Sequence, residues 1–221
     1  DIPGRGTGLG SSSSVTVGLL NAMHSFVGRK TSKEQLAYEA CKIEIEVLGA
    51  PIGRQDQYAA AYGGANSIRF DSTGVLVDPI DLSQSTIDGI SSEFTLIYTG
   101  LTRSAREVLR EAPDDPEDSI SRLRAIRDQA DDAVGMLKSG DLASLGTLLN
   151  DAWMIKRGTS ASVSNTEIDV LYDRVMNLGA NGAKLLGAGS GGFMLVHGDA
   201  SLRDRLSSEL DAQNRILPLG I

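Results

Sequence analysis

Two glycine-rich segments and two carboxylates carry the residue types that could do chemistry in this 221-residue chain. The first segment is Pro3-Gly4-Arg5-Gly6-Thr7-Gly8-Leu9-Gly10-Ser11-Ser12-Ser13-Ser14. Glycines let backbone N–H groups turn toward a ligand. Serine hydroxyls bind phosphate oxygens or a hard cation. An apolar stripe at helical spacing follows at once, so a helix N-terminus would add its donors and its positive dipole end. The combination predicts a phosphate cradle. The plainer alternative is a flexible Gly/Ser linker, but a linker would not run straight into a helical stripe. No Gly-Lys-Ser/Thr follows, so this is not a Walker A loop. The second segment, Gly187-Ala188-Gly189-Ser190-Gly191-Gly192, matches G-x-G-x-x-G. A dinucleotide loop of that pattern follows a strand and opens a helix. The order expected here is helix, loop, strand, so an NAD site is rejected. Two readings stay open: a tight turn, or a glycine surface on which a substrate or nucleotide rests.

Glu44 and Asp56 stand apart from the other acidic residues. On a helix, Glu44 has Ala40, Cys41, Val47 and Leu48 as its i±3 and i±4 neighbours, which puts it at the edge of the buried face. A carboxylate there needs a cationic partner or a raised pKa. No Lys or Arg lies one turn away, so Mg²⁺ is a candidate partner, with a salt bridge to a distant Arg as the alternative. Glu46, four residues after Lys42, reads as one half of an exposed pair. Asp56 lies in Gly53-Arg54-Gln55-Asp56-Gln57-Tyr58 after a Pro-Ile-Gly turn. It could take a proton from a hydroxyl nucleophile, or simply cap the segment that follows.

The elements that must position these groups are α+β in pattern. Residues 4–14 read as loop. Val15, Leu19, Ala22, Met23 and Phe26 form the buried stripe of a first helix that Gly28 ends. Ser32, with Gln35 as a capping box, opens a second helix whose stripe is Leu36, Ala40, Ile43 and Val47. Residues 53–64 are a Gly/Gln/Tyr segment. Strands are expected at 67–70 and 75–77, across a turn at 71–74. The polar stretch 83–92 marks the boundary between a domain of residues 1–85 and one of residues 90–221. The second domain should hold a strand at 94–98 and helices at 119–138, 142–154 and 166–178. A glycine-rich loop at 179–192, a strand at 193–197 and a helix at 201–210 complete it. The acidic loop 111–118 reads as solvated surface.

Composition narrows the classes. Twenty-one Lys and Arg against 29 Asp and Glu give a net charge of -8, which disfavours a nucleic-acid backbone as partner. A single cysteine, Cys41, permits no intrachain disulfide and fits a reducing, cytoplasmic location. No apolar run is long enough to span a bilayer, so no membrane partner is expected. The chain opens on a loop with no strand before it and ends at Arg215–Ile221 where a strand would be under way. It therefore reads as an internal piece of a longer protein.

The motifs together resemble the GHMP superfamily of galactokinase, homoserine, mevalonate and phosphomevalonate kinases. Pro3-x-x-x-x-Gly8-Leu9-Gly10-Ser11-Ser12 is similar to its phosphate-binding motif. Glu44, Gly49, Gly53 and Asp56 follow the order and approximate spacing of its metal ligand and catalytic aspartate. Gly182-Ala183-Lys184-Leu185-x-Gly187-Ala188-Gly189-x-Gly191-Gly192-Phe193 resembles its third motif. Within the superfamily, Asp1-Ile2-Pro3, Gly53–Tyr58, Tyr98–Arg103 and Gly182–Leu185 look like the D-glycero-D-manno-heptose 7-phosphate kinases.

The resemblance implies a partial ribosomal-protein-S5-like nucleotide-binding domain, roughly the first third of a full-length enzyme being absent, followed by a ferredoxin-like domain. It implies an ATP-dependent kinase acting on the anomeric hydroxyl of a heptose 7-phosphate. A fucose- or galactose-type sugar-1-kinase and a non-catalytic sugar sensor are the alternatives, and the shortened chain could itself be inactive. Gly6, Thr7, Gly8, Leu9, Gly10, Ser11, Ser12 and Ser13 would bind ATP, Ser12 and Glu44 would hold Mg²⁺, and Asp56 would be catalytic. Two local cation clusters in the acidic chain, Arg103 with Arg106 and Lys156 with Arg157, make Arg103 and Lys156 candidates to bind the sugar phosphate, with a solvated face as the alternative, and Gly189 and Ser190 are candidate substrate contacts. A homo-oligomer is possible.

Overall fold

In the computed structural model, which describes residues 7–102 and 116–220, helix starts earlier than the apolar pattern suggests. Helix α1 spans Ser11–Phe26, so the four serines form its first turn instead of belonging to a loop. Its phase also differs from expectation. Val15, Leu19, Ala22, Met23 and Phe26 are exposed, Phe26 by 92%. The buried face is Ser13 and Val17, with Leu20 partly covered. The helical period was visible in the sequence. Packing chose the opposite face, because Val17 and Leu20 meet Leu36, Ala40, Ala60 and Ala61.

These residues belong to the first of two compact units, Gly10–Ile80. Helix α2 (Lys33–Cys41) is capped by Ser32, whose Oγ accepts the Gln35 N–H at 3.1 Å. The reciprocal half of the capping box is not made, since Gln35 Nε2 donates to Glu39 Oε1 at 2.7 Å. The helix then runs into a π-helical turn, Lys42–Val47, where the Leu48 N–H reaches back five residues to the Ile43 carbonyl at 2.9 Å. The wider turn adds a residue to the period. Glu44 stays on the buried face while Val47, expected inside, is exposed. The segment read as Gly/Gln/Tyr-rich contains helix α3 (Gln55–Tyr62). Strands β1 (Asn66–Phe70) and β2 (Val75–Pro79) pair antiparallel, with Ile68 opposite Val77. Asp71 Oδ1 fixes the turn between them by accepting the Thr73 and Gly74 N–H groups.

The second unit comprises residues 7–9 and the described chain from Asp81 onward. The polar stretch 83–92 lies just after the change of unit at Ile80 and Asp81 and forms most of helix α4 (Gln84–Glu93), capped by Ser83. Strand β3 (Phe94–Tyr98) precedes helices α5 (Pro116–Ser139), α6 (Leu142–Arg157) and α7 (Thr166–Asn177). Asp141 caps α6 through the Ser144 N–H, and Asn165 caps α7 through the Ile168 N–H. The expected loop 179–192 contains strand β4 (Gly182–Leu185). The glycine motif is therefore the loop of an antiparallel hairpin with β5 (Phe193–His197). Helix α8 (Leu202–Glu209) and strand β6 (Ile216–Pro218) follow.

The four strands lie in the order β4-β5-β3-β6, every neighbour antiparallel. This strand order with α8 between β5 and β6 is the ferredoxin-like arrangement. Alternation along β5 sends Met194 and Val196 to one core with Trp153, Ile168, Val175 and Leu206. Leu195 points to a second core with Ile90, Phe94 and Leu142. Each fully buried aliphatic chain here is worth about 1.5–3 kcal/mol, and together they hold the hairpin loop 186–192 in a defined place.

Candidate active site

Within the first unit, α1, the π-turn and α3 bring four polar side chains to one point. The Glu44 carboxylate, 3% exposed, accepts from Ser12 Oγ at 2.5 Å, Ser13 Oγ at 2.7 Å and Gln57 Nε2 at 2.5 Å. Among the described residues no Lys or Arg pairs with it, so no salt bridge to a distant Arg is made among them. Three neutral donors stabilise the anion but leave its charge uncompensated. The Gln57 amide nitrogen must face the carboxylate, which leaves Gln57 Oε1, fully buried, with no hydrogen-bond partner among the described residues. Magnesium takes oxygen ligands, usually one or two carboxylates together with phosphate oxygens and water. One buried carboxylate without a cation, beside a serine hydroxyl, is a donor set that fits that ion.

Asp56 occupies the first turn of α3, one residue before Gln57. It makes no capping bond. It packs instead against the start of α1: a methyl group placed on Gly10 would sit 3.4 Å from Asp56 Cγ. Burial raises its pKa, a hydrogen bond with Gln55 opposes the rise, and the Glu44 charge adds to it. A half-buried carboxylate with a raised pKa is a stronger proton acceptor than a free one. Gly10, in the left-handed region at φ 66°, is the N-cap of α1, and no side chain caps that helix end.

In the second unit, the backbones of the two glycine segments touch. A Cβ on Gly187 would lie 2.7 Å from Gly8 Cα, and one on Gly8 would lie 3.0 Å from the Leu186 carbonyl oxygen. The Thr7 carbonyl accepts the Phe193 N–H at 3.1 Å. Ser190 is buried at φ 60°, and its hydroxyl donates to the Ser162 carbonyl. A Cβ on Gly189 would come within 2.6 Å of the Val163 carbonyl oxygen. Lys156, on α6, donates to the Gly187 carbonyl. Its pKa falls to about 8, first through burial and then through the charge of Lys184 on β4. Burial also lowers Lys184. Arg157, next to Lys156, pairs with Asp169 at 2.8 Å.

The structure thus gathers Gly10, Ser12, Ser13, Glu44 and Asp56 in one unit. It gathers Thr7, Gly8, Lys156, Gly189 and Ser190 in the other. Leu9 belongs with Gly8, and Ser11 opens α1. Gly6 and Arg103 lie outside the described residues. Two polar residues at these places were not anticipated. Gln57 could have been found from helical spacing, since Ala60 and Ala61 share its face. Lys184 could have been found as a charge set between buried Ala183 and Leu185.

Residues 1–64 match the family "GHMP kinases N terminal domain", and residues 133–215 match "GHMP kinases C terminal". The chain is 32% identical over 213 residues to D-glycero-alpha-D-manno-heptose 7-phosphate kinase of Campylobacter jejuni, covering 95% of this chain and 62% of that protein. It is 30% identical to galactokinase of Pyrococcus furiosus, covering 94% of this chain and 67% of the relative. A crystal structure of a putative sugar kinase from Campylobacter jejuni superposes with TM-score 0.74 at 30% identity, covering 96% of this chain and 62% of that one. A D-glycero-D-manno-heptose 1-phosphate kinase from Bacteroides thetaiotaomicron has the same fold at TM-score 0.77 and 24% identity, over 97% of this chain and 60% of its own. The chain spans somewhat under two thirds of the heptose kinase's length. With both domains of the family matched in order, and a galactokinase 30% identical over most of both chains, this chain belongs to the GHMP kinases.

Proposed function

We propose that the protein acts as an ATP-dependent sugar kinase that phosphorylates the anomeric hydroxyl of a heptose 7-phosphate. The observation that carries this reading is Glu44: a buried carboxylate gripped by Ser12, Ser13 and Gln57, with no Lys or Arg paired to it among the described residues, and with Asp56 and Gln57 adjacent in the chain on α3. The name of the Campylobacter jejuni relative supplies the substrate class. Thr7–Ser13 hold the nucleotide phosphates through backbone N–H groups and hydroxyls. Ser12 and Glu44 hold Mg²⁺, which neutralises phosphate charge when bound. Asp56 orients the acceptor hydroxyl and takes its proton as the oxygen attacks the γ-phosphorus, with ADP leaving. Such transfer asks mainly for positioning and charge neutralisation, so one carboxylate, one metal and a glycine cradle suffice. Lys156 and Arg103 contact the sugar's remote phosphate, beside the Gly189–Ser190 turn.

The test is ATP consumption by the natural gene product against heptose 7-phosphate, fucose and galactose. Turnover confined to the heptose phosphate is expected. Turnover on fucose or galactose alone would make it another sugar-1-kinase, and saturable sugar binding without ATP consumption would make it a sensor.

A further inference from the structure

Two lysines on the second unit lack what buried cations need. Lys156 and Lys184 are both half-buried, and the elements that carry them, α6 and β4, pack against each other. Neither forms an ion pair with a carboxylate among the described residues. The one hydrogen bond of Lys156 there is to the Gly187 carbonyl, which uses one of three ammonium donors. Lys184 makes none there. Burying two like charges side by side is unfavourable unless something anionic joins them. An acidic chain with net charge -8 has ample carboxylate to spare, yet none of those described is placed here.

The surroundings suit a compact anion. Lys184 stands on β4, which leads into the hairpin loop, and Lys156 reaches the first glycine of that loop from α6. Gly187 in turn touches Gly8 through backbone, so the lysines sit beside the contact between the two glycine segments. The neighbouring cation Arg157 is already committed to Asp169 and lies 5.9 Å from the ring centres of Trp153 and Tyr172. Among the described residues, the free cationic donors at this place therefore belong to the two ammonium groups.

We propose that Lys156 and Lys184 form a two-cation site for a phosphate group on the ferredoxin-like unit. Lys184 is the new member, and its presence turns a single contact into a clamp. The assignment of Lys156 to the sugar phosphate rests on the kinase reading. The phosphate site itself does not, and it can be tested without turnover.

The protein has six lysines, so ε-¹³C-lysine labelling gives a spectrum in which each can be assigned by substitution. Titration of the free protein should show Lys156 losing its proton near pH 8, ahead of the exposed lysines. Inorganic phosphate should raise the Lys156 pKa, because a bound anion favours the charged form. Lys184→Gln should raise it even without phosphate, by removing the like charge, and should weaken phosphate binding about tenfold or more. Lys184→Arg should restore binding. Trp153 fluorescence confirms that each variant is folded. If a variant does not fold, the wild-type titration decides alone.

Lysines that titrate in the ordinary range before phosphate is added would mean that a protein carboxylate already neutralises the pair, and would overturn the proposal. So would phosphate that leaves both lysine signals unmoved, or binding to Lys184→Gln as tight as to wild type. A heptose 7-phosphate and ATP, added separately, identify the source. Shifts with the sugar phosphate assign the site to the acceptor, and shifts with ATP alone assign it to the nucleotide. Phosphate binding at the two lysines in a protein that consumes no ATP with any of the sugars would count against the kinase reading only.

Discussion

Replacing Gly187 with alanine tests the contact that joins the two glycine motifs. Gly187 has φ 68°, in the left-handed region, where a Cβ costs about 1–2 kcal/mol. The added carbon would also lie 2.7 Å from Gly8 Cα, well inside a normal carbon–carbon contact of about 3.5–4.0 Å. The obstacle is backbone, so one loop must shift, and overpacking of that kind costs about 1–3 kcal/mol. Together these predict a loss of about 2–5 kcal/mol. Gly135 supplies the control. It is exposed in α5 with open space around its Cβ position, so Gly135→Ala should gain about 0.5–1 kcal/mol. Trp153, the only tryptophan and fully buried in the same unit, reports unfolding in urea. With a slope of about 2 kcal/mol/M, the Gly187 variant should lose ~1 M or more from its midpoint while the control rises slightly. ATP affinity should fall with it, since Gly8 lies in the proposed phosphate loop. A Gly187→Ala midpoint level with wild type would show that the loops do not touch.

Asp56→Asn should cut turnover roughly 10²-fold or more with ATP affinity nearly intact, and near-normal turnover would remove Asp56 from the chemistry. The same change should affect stability with a definite sign. Asp56 has a folded pKa above its unfolded one, so its favourable contribution is complete below the unfolded value and is lost as pH rises through the folded value. The asparagine variant should therefore melt above wild type at neutral pH and level with it in acid; the opposite order would place Asp56 in a stabilising ion pair. Glu44→Gln should raise the Mg²⁺ needed for half-maximal turnover about tenfold or more, whereas Glu46→Gln, exposed on the π-turn, should be silent. Sensitivity at Glu46 alone would contradict the register of this helix. Arg103→Ala should raise KM for the sugar phosphate and leave KM for ATP unchanged; if both constants hold, the remote phosphate is gripped elsewhere.

Local chemistry made much of this fold legible in the sequence. Gly28 and Gly140 end helices, and both adopt the left-handed backbone that such ends require. Ser32, Asp141 and Asn165 are short polar residues of the kind that cap helices, and each accepts the N–H three residues on. Strands β3 and β5 fall at 94–98 and 193–197 as alternation and apolar content suggested. The failures share a cause. Which face of α1 is buried depends on Leu36, Ala40 and Ala60, residues distant in sequence, and no period within α1 encodes them. Strand β4 was hidden because Gly182 and Lys184 are poor strand formers that pairing with β5 nonetheless holds extended.

Phase also explains why Glu44 was legible while its setting was not. Its i±3 and i±4 neighbours placed it at the edge of the core, and the π-turn moved it fully inside. A π-turn is disfavoured in water and persists only where surrounding contacts select it. Here the selecting contacts are the hydrogen bonds from Ser12, Ser13 and Gln57, groups from two other helices. The serines that look like loop in the sequence therefore serve as the first turn of a helix whose side chains face a carboxylate. They orient that carboxylate without neutralising it. A set of donors arranged to hold a negative charge in place, but not to cancel it, is what a cation-binding carboxylate requires, and this is why the uncompensated charge of Glu44 carries the functional argument further than any motif does.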